Sequence, residues 1–125
     1  MIHLDTNFLI GALVPKSIES QKLIGWLRRS EPIAMSAVAW TEFLFGPVLP
    51  NDIALASGFI DECVPFDAEA ATAAATLFNA GNRRKGSLTD CMIAGAAVAD
   101  GAVLATNNVA DFERFRAHGL VLEAV

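Results

Sequence analysis

Residues 1–15 read Met-Ile-His-Leu-Asp-Thr-Asn-Phe-Leu-Ile-Gly-Ala-Leu-Val-Pro, and the periodicity changes inside them. Ile2 to Leu4 is a short apolar run that ends at Asp5. From there Phe8, Leu9, Ala12 and Leu13 recur at helical spacing until Pro15 stops the pattern. A strand therefore hands over to a helix at an acidic residue. The same succession recurs downstream. Pro32 to Met35 reads as a second strand, with Ser36 as N-cap of a helix running through Trp40, Glu42 and Phe43 to Gly46 and Pro47. Cys63 to Phe66 reads as a third strand, which Pro65 places at an edge or at the strand's end. Asp67 then caps an alanine-rich helix that Gly81 closes. Leu88 to Ala99 forms a helix, Ala102 to Ala105 a fourth strand and Leu120 to Leu122 a last one, with a short helical turn around Asp111 to Phe115. An amphipathic segment, Ile18 to Leu27, carries Leu23, Ile24 and Leu27 on one side, and Ile53 to Ile60 is a further short helix. Strands alternating with helices define an α/β fold whose sheet is mainly parallel, with helices on both faces.

The 125 residues have room for one domain, residues 1–125, without repeats or a linker, and 54% hydrophobic against 18% charged residues is a globular composition. No apolar run is long enough to span a bilayer. The stretch Met1 to Val14 lacks a basic leader region and is interrupted by Asp5 and Asn7, so it reads as fold rather than export signal. A cytoplasmic protein without membrane contact is expected. Cys63 and Cys91 belong to no Cys/His cluster, which leaves zinc unsupported; both are expected to be free thiols acting as small buried groups. The formal charge of −5 argues against gripping nucleic acid through a broad basic face. A bound metal ion, however, reverses the sign of an acidic site.

In an open parallel sheet, ligands sit beyond the C-terminal strand ends. Sorted by that rule, Asp5 ends the first strand, Glu42 lies on the helix after the second, Asp90 begins the helix before the fourth, and Asp111 follows the fourth. Gathered together, these acids need neutralising: two like charges about 4 Å apart repel by about 4 kcal/mol at an effective dielectric of 20. Oxygen-only ligands suit Mg²⁺ or Mn²⁺, and such ions promote phosphodiester hydrolysis without a serine or histidine. Each acid also has an ordinary structural alternative. Asp5 suits the N-cap of the first helix, Asp90 forms a capping-box-like pair with Ser87, and Asp111 suits the cap of the turn before Phe115. Glu42 lies among Ala39, Trp40, Phe43 and Leu44, and a carboxylate on such a face needs a partner.

The motifs settle what the isolated acids leave open. Ile2-His3-Leu4-Asp5-Thr6-Asn7, Ser36 through Thr41-Glu42-Phe43-Leu44-Phe45-Gly46, Leu88-Thr89-Asp90-Cys91-Met92-Ile93-Ala94, and Leu104-Ala105-Thr106-Asn107-Asn108 with Asp111-Phe112 follow in order along the chain. Together they resemble the PIN-domain family, in particular the VapC-like ribonuclease toxins of toxin–antitoxin pairs. The resemblance implies a PIN-like three-layer α/β/α fold and a Mg²⁺-dependent endoribonuclease, with Mn²⁺ as a substitute. Asp5 and Asp90 would be the principal metal ligands, with Glu42 joining directly or through water. Asp111 is the nearest match to the fourth acid, although some relatives have an acid where this chain has Asn108. Thr6, Asn7 and Thr106 would orient waters or carboxylates, as would Asn108 if Asp111 completes the site. The resemblance also implies an RNA substrate, a small antitoxin that blocks the site, and a homodimer.

Arg83, Arg84 and Lys85 precede the Asp90 helix and are candidates for steering an RNA backbone, with a solvated loop as the alternative. Arg114 and Arg116 are weaker candidates. His3 should face the side of its strand opposite Ile2 and Leu4, as a satisfied structural histidine. Trp26 and Trp40 read as core or interface groups. The competing function is a catalytically silent PIN-fold module that binds another protein. A phosphoryl-accepting receiver domain is disfavoured, because no suitable lysine follows the fourth strand.

Overall fold

The computed structural model describes residues 1–81, 83 and 87–124. Strand β1 (Ile2–Leu4) leads to α1 (Thr6–Ala12) and α2 (Ile18–Arg28), and β2 (Ile33–Ser36) leads to α3 (Ala37–Phe45) and α4 (Pro50–Phe59). Then come β3 (Glu62–Val64), α5 (Ala68–Ala80), α6 (Leu88–Ala99), β4 (Val103–Thr106), α7 (Val109–Phe112), a 3-10 helix (Glu113–His118) and β5 (Val121–Ala124). The five strands form one sheet in the order β3-β2-β1-β4-β5, and every pairing is parallel. The expected parallel sheet is thus parallel throughout, inside an α/β/α arrangement.

Local chemistry explains the element starts. Ser36 accepts from the Ala39 N–H and Asp67 from the Ala70 N–H, each satisfying an otherwise orphaned helix donor. All residues of β1 and β2 are buried, so both faces of the sheet centre are covered by helices. The core joins Leu4, Phe8, Ile33, Met35, Phe43, Ile93 and Leu104, and Trp26 stacks on Phe8 at 5.4 Å. Helix α6 packs on α5 at close range: a Cβ at Gly95 would lie 2.6 Å from the Ala74 backbone nitrogen. His3 does point away from Ile2 and Leu4, and its Nε2 lies 2.8 Å from Asp100 Oδ2, but its Nδ1 has no partner among the described residues.

Several expectations are corrected. Cys91 is buried, but Cys63 is exposed, because it lies on β3, the edge strand, with no further strand paired beyond it among the described residues. On α2 the inner face is Leu23 with Trp26, while Ile24 and Leu27 face solvent; the wide indole, not the aliphatic pair, fills the space over Phe8. Among the described residues, no helix is long and apolar enough to cross a membrane.

Candidate metal-binding active site

Strands β2 and β3 lie on one side of β1, and β4 and β5 on the other, so the order in which strands are added reverses at the β1–β4 boundary. The C-terminal ends of β1 and β4 flank the crevice where such sheets hold ligands. Asp5 closes β1 and Thr106 closes β4. The Thr106 hydroxyl donates to Asp5 Oδ2 at 2.9 Å, and the Thr6 N–H donates to Oδ1 at 2.8 Å. Asp5 is therefore both the helix cap and a site residue; the two readings of the sequence were not exclusive.

Around this fixed carboxylate a cleft of about 300 Å³ is lined by Asp5, Thr6, Asn7, Glu42, Asp90, Asn108 and Asp111, with Ile10 and Phe45 at its side. All four candidate acids thus reach one cavity from four separate segments. Glu42 accepts from the Thr6 hydroxyl at 3.1 Å, and the same hydroxyl lies 3.1 Å from the Ala39 carbonyl oxygen. With one proton, Thr6 serves these two acceptors alternately. Asp90 stands in the first turn of α6, yet Ser87, the N-cap, makes no side-chain cap hydrogen bond. The expected capping-box pair is not formed, and Asp90 is turned to the cleft. Nor does Asp111 cap its turn: Asn108 occupies the N-cap position of α7 and donates from Nδ2 to Asp111 Oδ2 at 2.5 Å. The Asn108 N–H donates in turn to the Thr106 hydroxyl at 2.9 Å, which ties the fourth acid to the first. The Asn7 carbonyl accepts from Asn107 Nδ2 at 3.3 Å, so α1 is pinned to the β4 end.

The electrostatics are those of crowded acids. Asp5 is 5% exposed, and burial pushes its carboxyl up to about 6, helped by the Asp90 and Glu42 charges and opposed by the Thr106 and Thr6 hydrogen bonds. Asp90 is also raised, first by burial and then by Asp111, with Arg114 pulling it back. Arg114 lies over the Phe115 ring at 4.2 Å and donates to the Asp111 carbonyl, its Nε and Nη2 are buried without a hydrogen-bond partner among the described residues, and it does not line the cleft. Arg116 pairs with Glu113 at 3.1 Å. Arg83 is exposed, donates to Asn79 Oδ1 at 2.5 Å and does not line the cleft. Arg84 and Lys85 lie outside the described residues. Sequence reasoning missed Ile10 and Phe45; their spacing, four residues after Thr6 and three after Glu42, was the available signal.

As the side chains stand, no three His, Cys, Asp or Glu groups among the described residues are disposed to hold a metal ion together. The donor set nevertheless fits a hard cation. All its donors are oxygens, Mg²⁺ is commonly bound through one or two carboxylates with several waters retained, and the mutual repulsion of Asp5 and Asp90 is what a cation would relieve.

Acids gathered at the switch point of an all-parallel α/β/α sheet define a class of α/β domains with an acidic cleft at the strand ends. Within that class, the PIN-domain family model matches residues 2–117. The chain belongs to the PIN-domain family. No curated protein matches its sequence. Among solved structures it is similar to VapBC2 from Rickettsia felis bound to a promoter DNA fragment, at 23% identity and a TM-score of 0.81, covering 100% of this chain and 99% of that one. DNA-bound VapBC from Salmonella typhimurium is 25% identical with a TM-score of 0.77, covering 98% and 96%. VapBC-1 from nontypeable Haemophilus influenzae is 25% identical with a TM-score of 0.71, covering 99% and 98%.

Proposed function

We propose that this protein is a metal-dependent endoribonuclease, using Mg²⁺ with Mn²⁺ as a substitute, and the toxic component of a toxin–antitoxin pair. The observation that carries the reading is the convergence of Asp5, Glu42, Asp90 and Asp111 on one cleft at the sheet's switch point. Asp5 and Asp90 would hold the ion, with Glu42 joining directly or through water. A bound divalent cation supplies Lewis-acid polarisation of a phosphoryl oxygen and acidifies water. The chain's own residues set the stage. Thr106 and the Thr6 N–H hold the Asp5 carboxylate, and the Thr6 hydroxyl holds Glu42. The hydrogen bond from Asn108 to Asp111 supports taking Asp111 as the fourth carboxylate, with Asn108 positioning it.

The toxin role is supported by the likeness to VapBC assemblies, one of them bound to a promoter DNA fragment, and to a toxin–antitoxin complex from Klebsiella pneumoniae. By this reading a small antitoxin covers the cleft, and a second copy of the chain completes a homodimer. The test is cleavage of defined RNAs with and without chelator, comparing wild type with Asp5→Asn and Asp90→Asn. Each variant is expected to lose at least about a hundredfold in rate while staying folded. Full metal-dependent cleavage by Asp5→Asn would refute the site.

A second reading, a catalytically silent PIN-fold binding module, draws on one observation: the acids are not grouped as a ready metal-holding set. Metal binding without turnover of any RNA in the same assay would favour it.

A further inference from the structure

Phe45 is 75% exposed, more than any other large apolar side chain among the described residues. It lines the acidic cleft, and it does not line the neighbouring apolar groove of about 250 Å³, whose walls include Ile10, which the two share, with Leu13, Val14, Phe43 and Val48. Helix geometry explains the placement. Phe45 follows Glu42 by three residues on α3, so the two share a face with Cβ atoms about 5–6 Å apart. Ile10, 44% exposed, stands one turn beyond Thr6 on α1 and lines the same cleft. We infer that Phe45, flanked by Ile10, is the platform on which a base of single-stranded RNA stacks when the adjoining phosphodiester lies at the carboxylates.

The inference rests on the nuclease reading and adds the feature that would hold the substrate. The chain carries a net charge of −5, and no Lys or Arg among the described residues lines the cleft. Among the described residues the cleft offers the RNA backbone no cationic side chain, so the proposed divalent ion is the electrostatic anchor there and stacking, which tolerates any base, adds the rest of the grip. A free base is required, because bases in a duplex already stack on one another. An antitoxin that covers the cleft would meet Phe45 as well, and the adjacent groove gives its apolar side chains a seat that does not involve the ring.

Two measurements on the full chain test this. In Mg²⁺-dependent cleavage of an unstructured RNA, Phe45→Ala is expected to raise KM by roughly tenfold with kcat changed less than about twofold. Phe45→Trp should keep the wild-type KM and Phe45→Leu should not, while thermal stability stays unchanged in all three. In the Asp5→Asn background, a single-stranded RNA carrying 2-aminopurine should lose fluorescence on binding, and the added Phe45→Ala change should abolish that quenching. Unchanged KM with equal quenching overturns the platform. So does weakened antitoxin binding with RNA kinetics untouched, which would assign the ring to a protein contact. If the wild type cuts no RNA, the nuclease reading falls, and the fluorescence arm still decides: quenching lost with Phe45→Ala supports the platform, and no quenching overturns it.

Discussion

Asp5 carries two duties that conflict energetically. As a cap and hydrogen-bond acceptor it is welcome as an anion; buried beside Asp90 and Glu42 it is not, and burial wins, raising its carboxyl from 3.8 to about 6. The sign of the consequence follows from which state binds the proton more tightly. Below the ordinary carboxylate range both folded and unfolded chains are protonated and Asp5 costs nothing. As pH rises from about 4 to about 6 the unfolded chain ionises first, and above that range the fold bears the full cost, about 3 kcal/mol. Without metal, the protein should therefore lose stability across that window from this group. Asp5→Asn removes the titration, and in chelator at pH 7.5 it should be roughly 1–3 kcal/mol more stable than wild type, with the advantage gone at pH 4. Urea denaturation at the two pH values measures this. An Asp5→Asn protein no more stable than wild type at pH 7.5 would mean that the carboxylate is not strained. Mg²⁺ should raise the melting temperature of the wild type at pH 7.5 and leave that of Asp5→Asn unmoved.

At the scale of elements, the position of Asp90 depends on how closely α6 approaches α5. Gly95 sets that distance, since a Cβ there would meet Ala74 backbone atoms at 2.6 and 2.8 Å. Gly95→Ala gains about 1 kcal/mol of helix propensity and yet should destabilise the protein by roughly 2 kcal/mol or more, because backbone cannot yield as a side chain can. A urea midpoint equal to or above the wild-type value would show that the two helices are not in tight register there. The features legible in the sequence are of the same local kind. The strand-to-helix transitions were readable because Asp5, Ser36 and Asp67 cap within a few residues of themselves. What distant elements decide was not readable. Helical spacing could not tell that the indole of Trp26 would take the inner face from Ile24 and Leu27. The edge placement of β3 was legible from Pro65, but not that Cys63 would be exposed there, nor that Ser87 and Asp90 would form no capping box. The acids converged as the motif order implied, but Phe45 went unnoticed because an aromatic residue in an apolar helix reads as core until the helix is placed.

At the scale of the whole molecule, parallel topology turns four scattered acids into one cleft, since every strand presents its C-terminal end to the same edge. The same topology leaves α4 oddly placed. It buries Ala56 fully and packs Ile53 and Phe59 partly against the core, but Leu55 is 57% exposed, just beyond Leu49 at 66%. A ten-residue helix is marginal in water on propensity alone, and most helical stability comes from packing an apolar face. In the proposed homodimer, the exposed Leu55 of α4 is a surface that a second copy would cover. Leu55→Arg should then shift the isolated protein from dimer to monomer in sedimentation at micromolar concentration, because burying an unpaired guanidinium in the interface costs several kcal/mol. RNA cleavage should persist in so far as each cleft is built from one chain, as its lining residues indicate. A protein that sediments identically with and without the substitution would remove α4 from the dimer contact and leave its apolar face to be covered by a different partner.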